Sequence, residues 1–155
     1  MEKYSTSSFE QTQKIGQQFA SDILAKGPQL SAVVLALQGD LGAGKTTFLQ
    51  GFAKGLGVDE VVNSPTFVIM KKFQISAAAP AGAAAETFKY FYHVDLYRLE
   101  TQQDLEFLHF QEIISNPENI IAIEWPEKVA KLFPKDSISI RFNHLEENQR
   151  QIIID

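Results

Sequence analysis

The sequence predicts one α/β domain with a mostly parallel central sheet flanked by helices and a C-terminal β-hairpin. Two runs at 33–37 and 120–124 are wholly apolar until their ends, as is typical of strands buried on both faces. Segments with the apolar spacing of helices alternate with such strands. A length of 155 residues with 45% hydrophobic residues fits a single domain over 1–155.

The first helix is predicted from its start signal and its apolar face. Residues 7–10 read Ser-Ser-Phe-Glu, a capping-box pattern, and Ile15, Phe19 and Ile23 then recur every four residues. Glycine and proline at 27–28 end this helix. The later predicted elements are a helix at 45–56, strands at 67–73 and 89–95, a helix at 101–114, a helical turn from Pro126, and hairpin strands at 137–142 and 149–154.

An alanine-rich stretch at 77–85 separates two of the predicted strands. It is of low complexity and contains proline and glycine, which favours a mobile loop over a domain linker. A short helix after Pro80 is the second interpretation.

Composition excludes several classes of function. With 19 acidic and 14 basic residues the net charge is −5, so the chain has no basic field for binding nucleic acid by itself. The absence of cysteine excludes disulfides and thiol nucleophiles. The N-terminus is polar and no apolar run is long enough to span a bilayer. We therefore expect a cytoplasmic protein that does not enter a membrane.

Residues 39–46 match the phosphate-binding pattern G-x-x-x-x-G-K-[ST] at every fixed position. In such a loop, glycines let successive N–H groups point at phosphate oxygens, Lys45 reaches the β- and γ-phosphates, and Thr46 offers its hydroxyl to Mg²⁺. An accidental glycine-rich turn is disfavoured, because a buried strand precedes the loop and an amphipathic helix follows it. The fold is therefore predicted to be P-loop NTPase-like. The predicted nucleotide-binding residues are Gly39, Asp40, Leu41, Gly42, Ala43, Gly44, Lys45, Thr46 and Thr47.

Two acidic residues are candidates to complete a magnesium site. Asp95 and Glu124 each end a predicted strand, where open α/β sheets place their ligands. Each could instead cap a turn or pair with a cation, such as Arg98 for Asp95. The residues alone leave both interpretations open.

Other candidate residues also have structural interpretations. Thr66 follows the phosphate-loop helix, as switch threonines do, but its Asn-Ser-Pro context is also good turn chemistry, and spacing alone favours the turn. His93 is interpreted as packing in a strand, and Trp125 as core. Residues 7–10 are the candidate adenine pocket.

Four motifs in this order resemble the TsaE family, the bacterial ATPases of tRNA threonylcarbamoyladenosine biosynthesis. They are the loop at 39–47, Ser-Pro-Thr-Phe at 64–67, His-Val-Asp-Leu-Tyr-Arg-Leu at 93–99, and Glu-Trp-Pro-Glu-Lys at 124–128. The resemblance covers roughly residues 7–142; the stretch at 77–85 departs from it in being longer than the usual connection.

The resemblance implies a cytoplasmic, Mg²⁺-dependent ATPase that is weak alone. It implies two partner proteins, TsaD and TsaB, which modify the adenosine beside the anticodon, so that tRNA is met only through the complex. It also implies roles for site residues: Lys45 and Thr46 bind phosphate and magnesium, Glu124 is a magnesium-side acid, Asp95 is an essential acid, and Thr66 is a switch-like residue near the γ-phosphate.

Two other functions share the phosphate loop. A small-molecule kinase would clamp phosphates with arginines from a lid, and Arg98, Arg141 and Arg150 form no lid cluster in the sequence. A nucleotide-gated binding module with negligible hydrolysis shares every motif. ATP rather than GTP rests on the resemblance, together with the absence of a guanine-reading N-K-x-D motif.

Overall fold

A single sheet of seven strands organises the described part of the chain, in the order β1-β7-β6-β2-β5-β4-β3. The computed structural model describes residues 1–65, 68–76, 88–99, 106, 108–146 and 149–155. The strands are β1 (Glu2–Thr6), β2 (Val33–Gln38), β3 (Met70–Gln74), β4 (Tyr90–Asp95), β5 (Asn119–Glu124), β6 (Ile138–Glu146) and β7 (Gln149–Ile154).

Parallel pairing is confined to the centre of the sheet. The strands β6, β2, β5 and β4 are parallel neighbours, whereas β1–β7, β7–β6 and β4–β3 pair antiparallel. The sheet is therefore mixed, and the prediction of a mostly parallel sheet holds only for these four strands. The predicted C-terminal hairpin is confirmed as β6 and β7.

Helices cover both faces of the sheet. They are α1 (Phe9–Lys26), α2 (Lys45–Gly55) and α3 (Phe110–Ser115), followed by 3₁₀ turns at Pro126–Lys128 and Ala130–Leu132. Leu35 and Leu37 of β2 pack in the cluster that includes α1 and α2, while Val34 packs with α3 on the opposite face. This alternation explains why β2 is apolar throughout, since both of its faces are buried.

The helices α1 and α2 cross in close backbone contact. A Cβ added to Gly51 of α2 would lie 1.9 Å from the carbonyl oxygen of Gln13, and one added to Gly16 of α1 would lie 2.2 Å from the carbonyl oxygen of Phe48. Side chains at either position would force the helices apart. These two glycines therefore fix α2, and the loop that precedes it, against α1.

The start of α1 lies one residue later than its capping pattern predicts. Ser8 is the N-cap, and its hydroxyl accepts from the backbone N–H of Gln11 at 3.2 Å. The Gln11 side chain accepts in return from the N–H of Ser7 at 2.8 Å. Gln11, rather than Glu10, is therefore the reciprocal partner.

Several predicted elements need correction. The polar N-terminus forms β1, which pairs with β7 and was not predicted as a strand. A continuous helix through 114 is wrong, because His109 has a φ of 52° and α3 begins only after it. Pro126 starts a 3₁₀ turn rather than an α-helix. The stretch at 77–85 and the predicted start at Thr101 lie outside the described residues. Within the described residues, no helix has the length and apolar character to cross a membrane.

Candidate nucleotide-binding site

A cavity of about 580 Å³ opens beside the carboxyl ends of β4 and β5, where α2 begins. Parallel register places the last residues of these strands side by side, Asp95 opposite Glu124, with Leu37 of β2 opposite Glu124 on the other side. The volume is in the range of small-molecule sites. The lining residues are Phe9, Leu41, Gly42, Gly44, Lys45, Thr46, Thr47, Ser64, Asp95, Tyr97, Glu124, Trp125 and Arg150.

The 39–46 loop joins β2 directly to α2 and presents the first turn of that helix to the cavity. Gly42 and Gly44 have φ of 79° and 105°, conformations that residues with a Cβ rarely adopt. Gly44 is the N-cap of α2, and no side chain caps it. The N-terminal end of α2 is therefore a place where backbone N–H groups and the helix dipole favour an anion.

Lys45 is the first residue of α2 and is only 5% exposed. Its Nζ donates to the carbonyl oxygens of Gly39 at 2.6 Å and Asp40 at 3.0 Å. The same Nζ lies 5.2 Å from the ring centroid of Trp125. The ammonium is thus held at the cavity wall by neutral carbonyls, from which an anionic ligand can draw it.

Glu124 ends β5 and is nearly as buried as Lys45, at 5% exposed. Its Oε2 lies 3.9 Å from Lys45 Nζ, and its Oε1 lies 2.8 Å from His93 Nε2. A carboxylate with so little access to water needs such partners to be stable. His93, predicted to serve only packing, therefore belongs to the site as a contact of Glu124.

Asp95 ends β4 and connects two loops beside the cavity. Its carboxylate accepts from the Ser64 hydroxyl at 3.1 Å and from the backbone N–H of Tyr97 at 3.0 Å. Ser64 belongs to the segment after α2, and Tyr97 to the turn after β4. Any ligand that displaces or recruits this carboxylate is thereby coupled to both segments.

The Glu-Trp-Pro-Glu-Lys motif also has a structural explanation. Lys128 Nζ donates to the carbonyl oxygens of Tyr97 and Leu99, both at 2.7 Å, and so holds the turn after β4. Trp125 has a φ of 60° and its ring centroid lies 5.2 Å from that of Tyr97. Trp125 packs against the apolar cluster on the α3 face of the sheet and also lines the cavity, so its interpretation as core describes only one of its two contacts.

Sequence reasoning missed one cation of the site. Arg150 lies on β7, and its guanidinium is 5.3 Å from the ring centroid of Phe9 at the mouth of the cavity. A Cβ on Gly44 would lie 3.1 Å from Arg150 Cδ, so this side chain packs directly on the loop. Its Nε is buried and has no hydrogen-bond partner among the described residues. No sequence motif marks Arg150, because the hairpin that carries it reaches the site only through the sheet order.

The fold places most of the predicted site residues around the main cavity. Gly39 and Asp40 line a smaller cavity next to the first, while Ala43 is buried and lines neither. Thr66 lies outside the described residues. Of the candidate adenine residues at 7–10, Phe9 lines the main cavity. The predicted residues that line it are Leu41, Gly42, Gly44, Lys45, Thr46, Thr47, Asp95 and Glu124.

The donor set at the cavity suits Mg²⁺ bound together with a phosphate. Thr46 supplies a hydroxyl and Glu124 a carboxylate, both hard oxygen donors. Within the described ranges no group of three or more His, Cys, Asp or Glu residues could hold a metal ion alone. Magnesium is usually bound by one or two carboxylates, with water and substrate phosphates as its other ligands.

Comparison with known proteins identifies the family. The family model described as threonylcarbamoyl adenosine biosynthesis protein TsaE matches residues 6–152. The tRNA threonylcarbamoyladenosine biosynthesis protein TsaE of Bacillus subtilis is 37% identical over 123 residues, which cover 77% of this chain and 66% of that protein. Its namesake in Haemophilus influenzae is 34% identical over 134 residues, covering 86% of this chain and 77% of the relative.

A solved structure shares the fold of this chain. The crystal structure of YdiB from Bacillus subtilis matches with a TM-score of 0.69 and 29% sequence identity, covering 97% of this chain and 82% of that one. The family model spans nearly the whole sequence, and the relatives share a name that refers to one tRNA modification. The chain therefore belongs to the TsaE family, whose members are named for tRNA threonylcarbamoyladenosine biosynthesis.

Proposed function

We propose that this chain binds ATP with Mg²⁺ and hydrolyses it as part of the machinery that makes threonylcarbamoyladenosine in tRNA. Its hydrolysis is weak alone and serves the turnover of a complex of the proteins TsaD and TsaB. The observation that carries the proposal is that Lys45, Glu124 and Arg150 line one cavity, which also faces the N-terminus of α2. The chain that carries this cavity is a member of the TsaE family.

The phosphate end of ATP has a defined place in this proposal. The β- and γ-phosphates lie over the first turn of α2, where Lys45 exchanges the carbonyls of Gly39 and Asp40 for phosphate oxygens. Thr46 and Glu124 would hold the magnesium ion, which would neutralise charge on the phosphates. Helix dipole, lysine and metal all favour the same anion.

The opposite end of the nucleotide lies towards Phe9 and Arg150. Phe9 lines the cavity and is 61% exposed, so its ring is accessible to a ligand. The guanidinium of Arg150 lies 5.3 Å from the centroid of this ring, and its Nε has no hydrogen-bond partner among the described residues. These two side chains form a platform suited to a nucleoside and its proximal phosphate.

Asp95 is proposed to act on the hydrolytic step. It lies beside Glu124 in the sheet register and lines the same cavity as Lys45. Its hydrogen bonds from Ser64 and Tyr97 link the cavity to the segment that leads to residue 66. Thr66, whose switch role stays a prediction, is thus attached by chain continuity to a residue that Asp95 holds.

The partners of the proposal follow from the family and from charge. The names of the relatives refer to a tRNA modification, yet the net charge of this chain is −5. A chain of this charge is poorly suited to hold tRNA directly. We therefore propose that TsaD and TsaB bind the tRNA, and that the three proteins act together in the cytoplasm.

Co-purification with TsaD and TsaB tests this function. ATP hydrolysis is measured for the chain alone, for the mixture, and for a mixture with Lys45→Ala. We expect slow hydrolysis alone, stimulation in the mixture, and neither with the variant. Absence of both binding and stimulation would contradict the role in the complex, and would favour a kinase acting on a small molecule.

A further inference from the structure

His93 is the one fully buried imidazole in the middle of β4, with 0% of its surface exposed. Its register neighbours are Lys71 of β3 and Ala122 of β5. An imidazole in such a place loses its hydration, so a packing role alone would be better served by an apolar residue. Its position therefore calls for a specific hydrogen bond.

That hydrogen bond goes to Glu124. The two side chains project from the same face of adjacent strands, and His93 Nε2 lies 2.8 Å from Glu124 Oε1. Nδ1 of the ring has no hydrogen-bond partner among the described residues. A proton on Nδ1 would leave a buried N–H without an acceptor. It would also leave two acceptors, His93 Nε2 and Glu124 Oε1, facing each other, so the proton belongs on Nε2. His93 is then the donor and the carboxylate the acceptor.

As a consequence, the two carboxylate oxygens of Glu124 have different contacts. Oε1 is engaged by His93 inside the sheet, and Oε2 is the oxygen that faces Lys45 at 3.9 Å. The terminal torsion of a glutamate has no sharp intrinsic preference, so this hydrogen bond helps to select one orientation of the carboxylate. Burial of both partners keeps water from replacing the imidazole.

We infer that His93 is a positioning residue: its Nε2–H fixes Glu124 so that Oε2 is presented to the magnesium ion of bound ATP. This inference rests on the proposed function. Such outer partners of metal ligands commonly change metal affinity by about 10- to 100-fold when they are lost. The effect should therefore appear in Mg²⁺ affinity and not in nucleotide affinity measured without metal.

Two variants separate the hydrogen bond from packing. His93→Phe keeps a ring and removes the donor, while His93→Gln places an amide nitrogen near the position of Nε2. Mg²⁺ is titrated into each protein with a non-hydrolysable ATP analogue, and the fluorescence of Trp125, the sole tryptophan, is followed. We expect His93→Phe to weaken Mg²⁺ binding about 10-fold or more. His93→Gln should recover most of it, and analogue affinity in EDTA should be unchanged in both.

A double-mutant cycle with Glu124→Gln tests whether His93 acts through that residue. We expect His93→Phe to have no further effect on Mg²⁺ affinity once Glu124 is replaced. An equal loss in both backgrounds, or wild-type Mg²⁺ affinity in His93→Phe, would overturn the positioning role. Failure of the wild-type protein to bind the analogue at all would instead overturn the proposed function.

Nitrogen NMR of the wild-type protein covers the case in which His93→Phe does not fold. The inference requires a proton on Nε2 of His93 in the metal-free protein. Detection of that proton supports it. A ring protonated on Nδ1 alone cannot donate to Glu124, and would overturn it.

Discussion

Lys45 Nζ and Glu124 Oε2 lie 3.9 Å apart, and both side chains are almost wholly withdrawn from water. In such surroundings, opposite charges interact more strongly than at a surface, and removal of one leaves the other uncompensated. This distance is longer than that of a direct hydrogen-bonded ion pair, so neither charged group is fully occupied by the other. Each is therefore available to a ligand of opposite charge: phosphate for the lysine and a metal ion for the carboxylate.

Glu124→Gln should separate metal binding from phosphate binding. The amide keeps the shape but removes the charge that attracts Mg²⁺, so ATP affinity in Mg²⁺ should fall at least about 10-fold, while affinity in EDTA should not fall. Titration calorimetry in both buffers measures this. Asp59→Asn, at an exposed acid away from the cavity, is the matched control. Equal affinities of Glu124→Gln and wild-type protein in Mg²⁺ would remove Glu124 from the metal site.

Asp95→Asn should abolish hydrolysis while ATP still binds. Asp95 accepts hydrogen bonds from Ser64 and Tyr97, so its loss should disturb the two segments that carry these residues more than the loop at 39–46. Turnover is measured in the presence of TsaD and TsaB, and binding by calorimetry. A circular dichroism spectrum like that of the wild type confirms folding. Normal turnover in this variant would show that the carboxylate is not needed.

Arg150→Ala should weaken ATP binding by about 10-fold or more, because one charge-assisted hydrogen bond contributes about 1.5–3 kcal/mol. Arg141→Ala is the control, since Arg141 pairs with Asp155 at the surface. The two arginines lie on adjacent strands of the same hairpin. If both variants bind ATP equally well, Arg150 has no part in the nucleotide site.

How much of this site is visible in the sequence depends on how local each signal is. Lys45 and Thr46 belong to a contiguous motif between a strand and a helix, so they could be recognised without knowledge of the three-dimensional fold. Asp95 and Glu124 were found as strand ends, and the register of β4 and β5 explains why both reach one edge. Arg150 and His93 could not be assigned, since their roles depend on which strands become neighbours and which ring nitrogen meets which oxygen.

The fold shows the same division. Apolar runs and glycine stops predicted β2, α2 and β5, because the pattern that marks each of these elements lies within a short stretch of sequence. The polar strand β1 carries no such pattern and forms because β7 offers it an open edge. His109 interrupts a helical apolar pattern by its backbone conformation, which side-chain periodicity does not reveal.

Gly51→Ala should destabilise the protein through the contact of α1 and α2. Its methyl group would meet the carbonyl oxygen of Gln13 at 1.9 Å, and overpacking of this kind costs about 1–3 kcal/mol. Urea unfolding measures the change in the free energy of unfolding. Lys54→Ala, at an exposed position of the same helix, should leave it nearly unchanged. A stability of Gly51→Ala equal to that of the control would mean that the helices can separate at little cost.

The most direct test of the nucleotide site is calorimetric titration of ATP in Mg²⁺ into the wild-type protein and Lys45→Ala. Removal of the buried ammonium leaves the phosphates without their principal cation, so saturable binding should be seen for the wild type and lost in the variant. Lys54→Ala should bind as the wild type does. Undiminished affinity in Lys45→Ala, or no saturable binding by the wild type, would contradict the account.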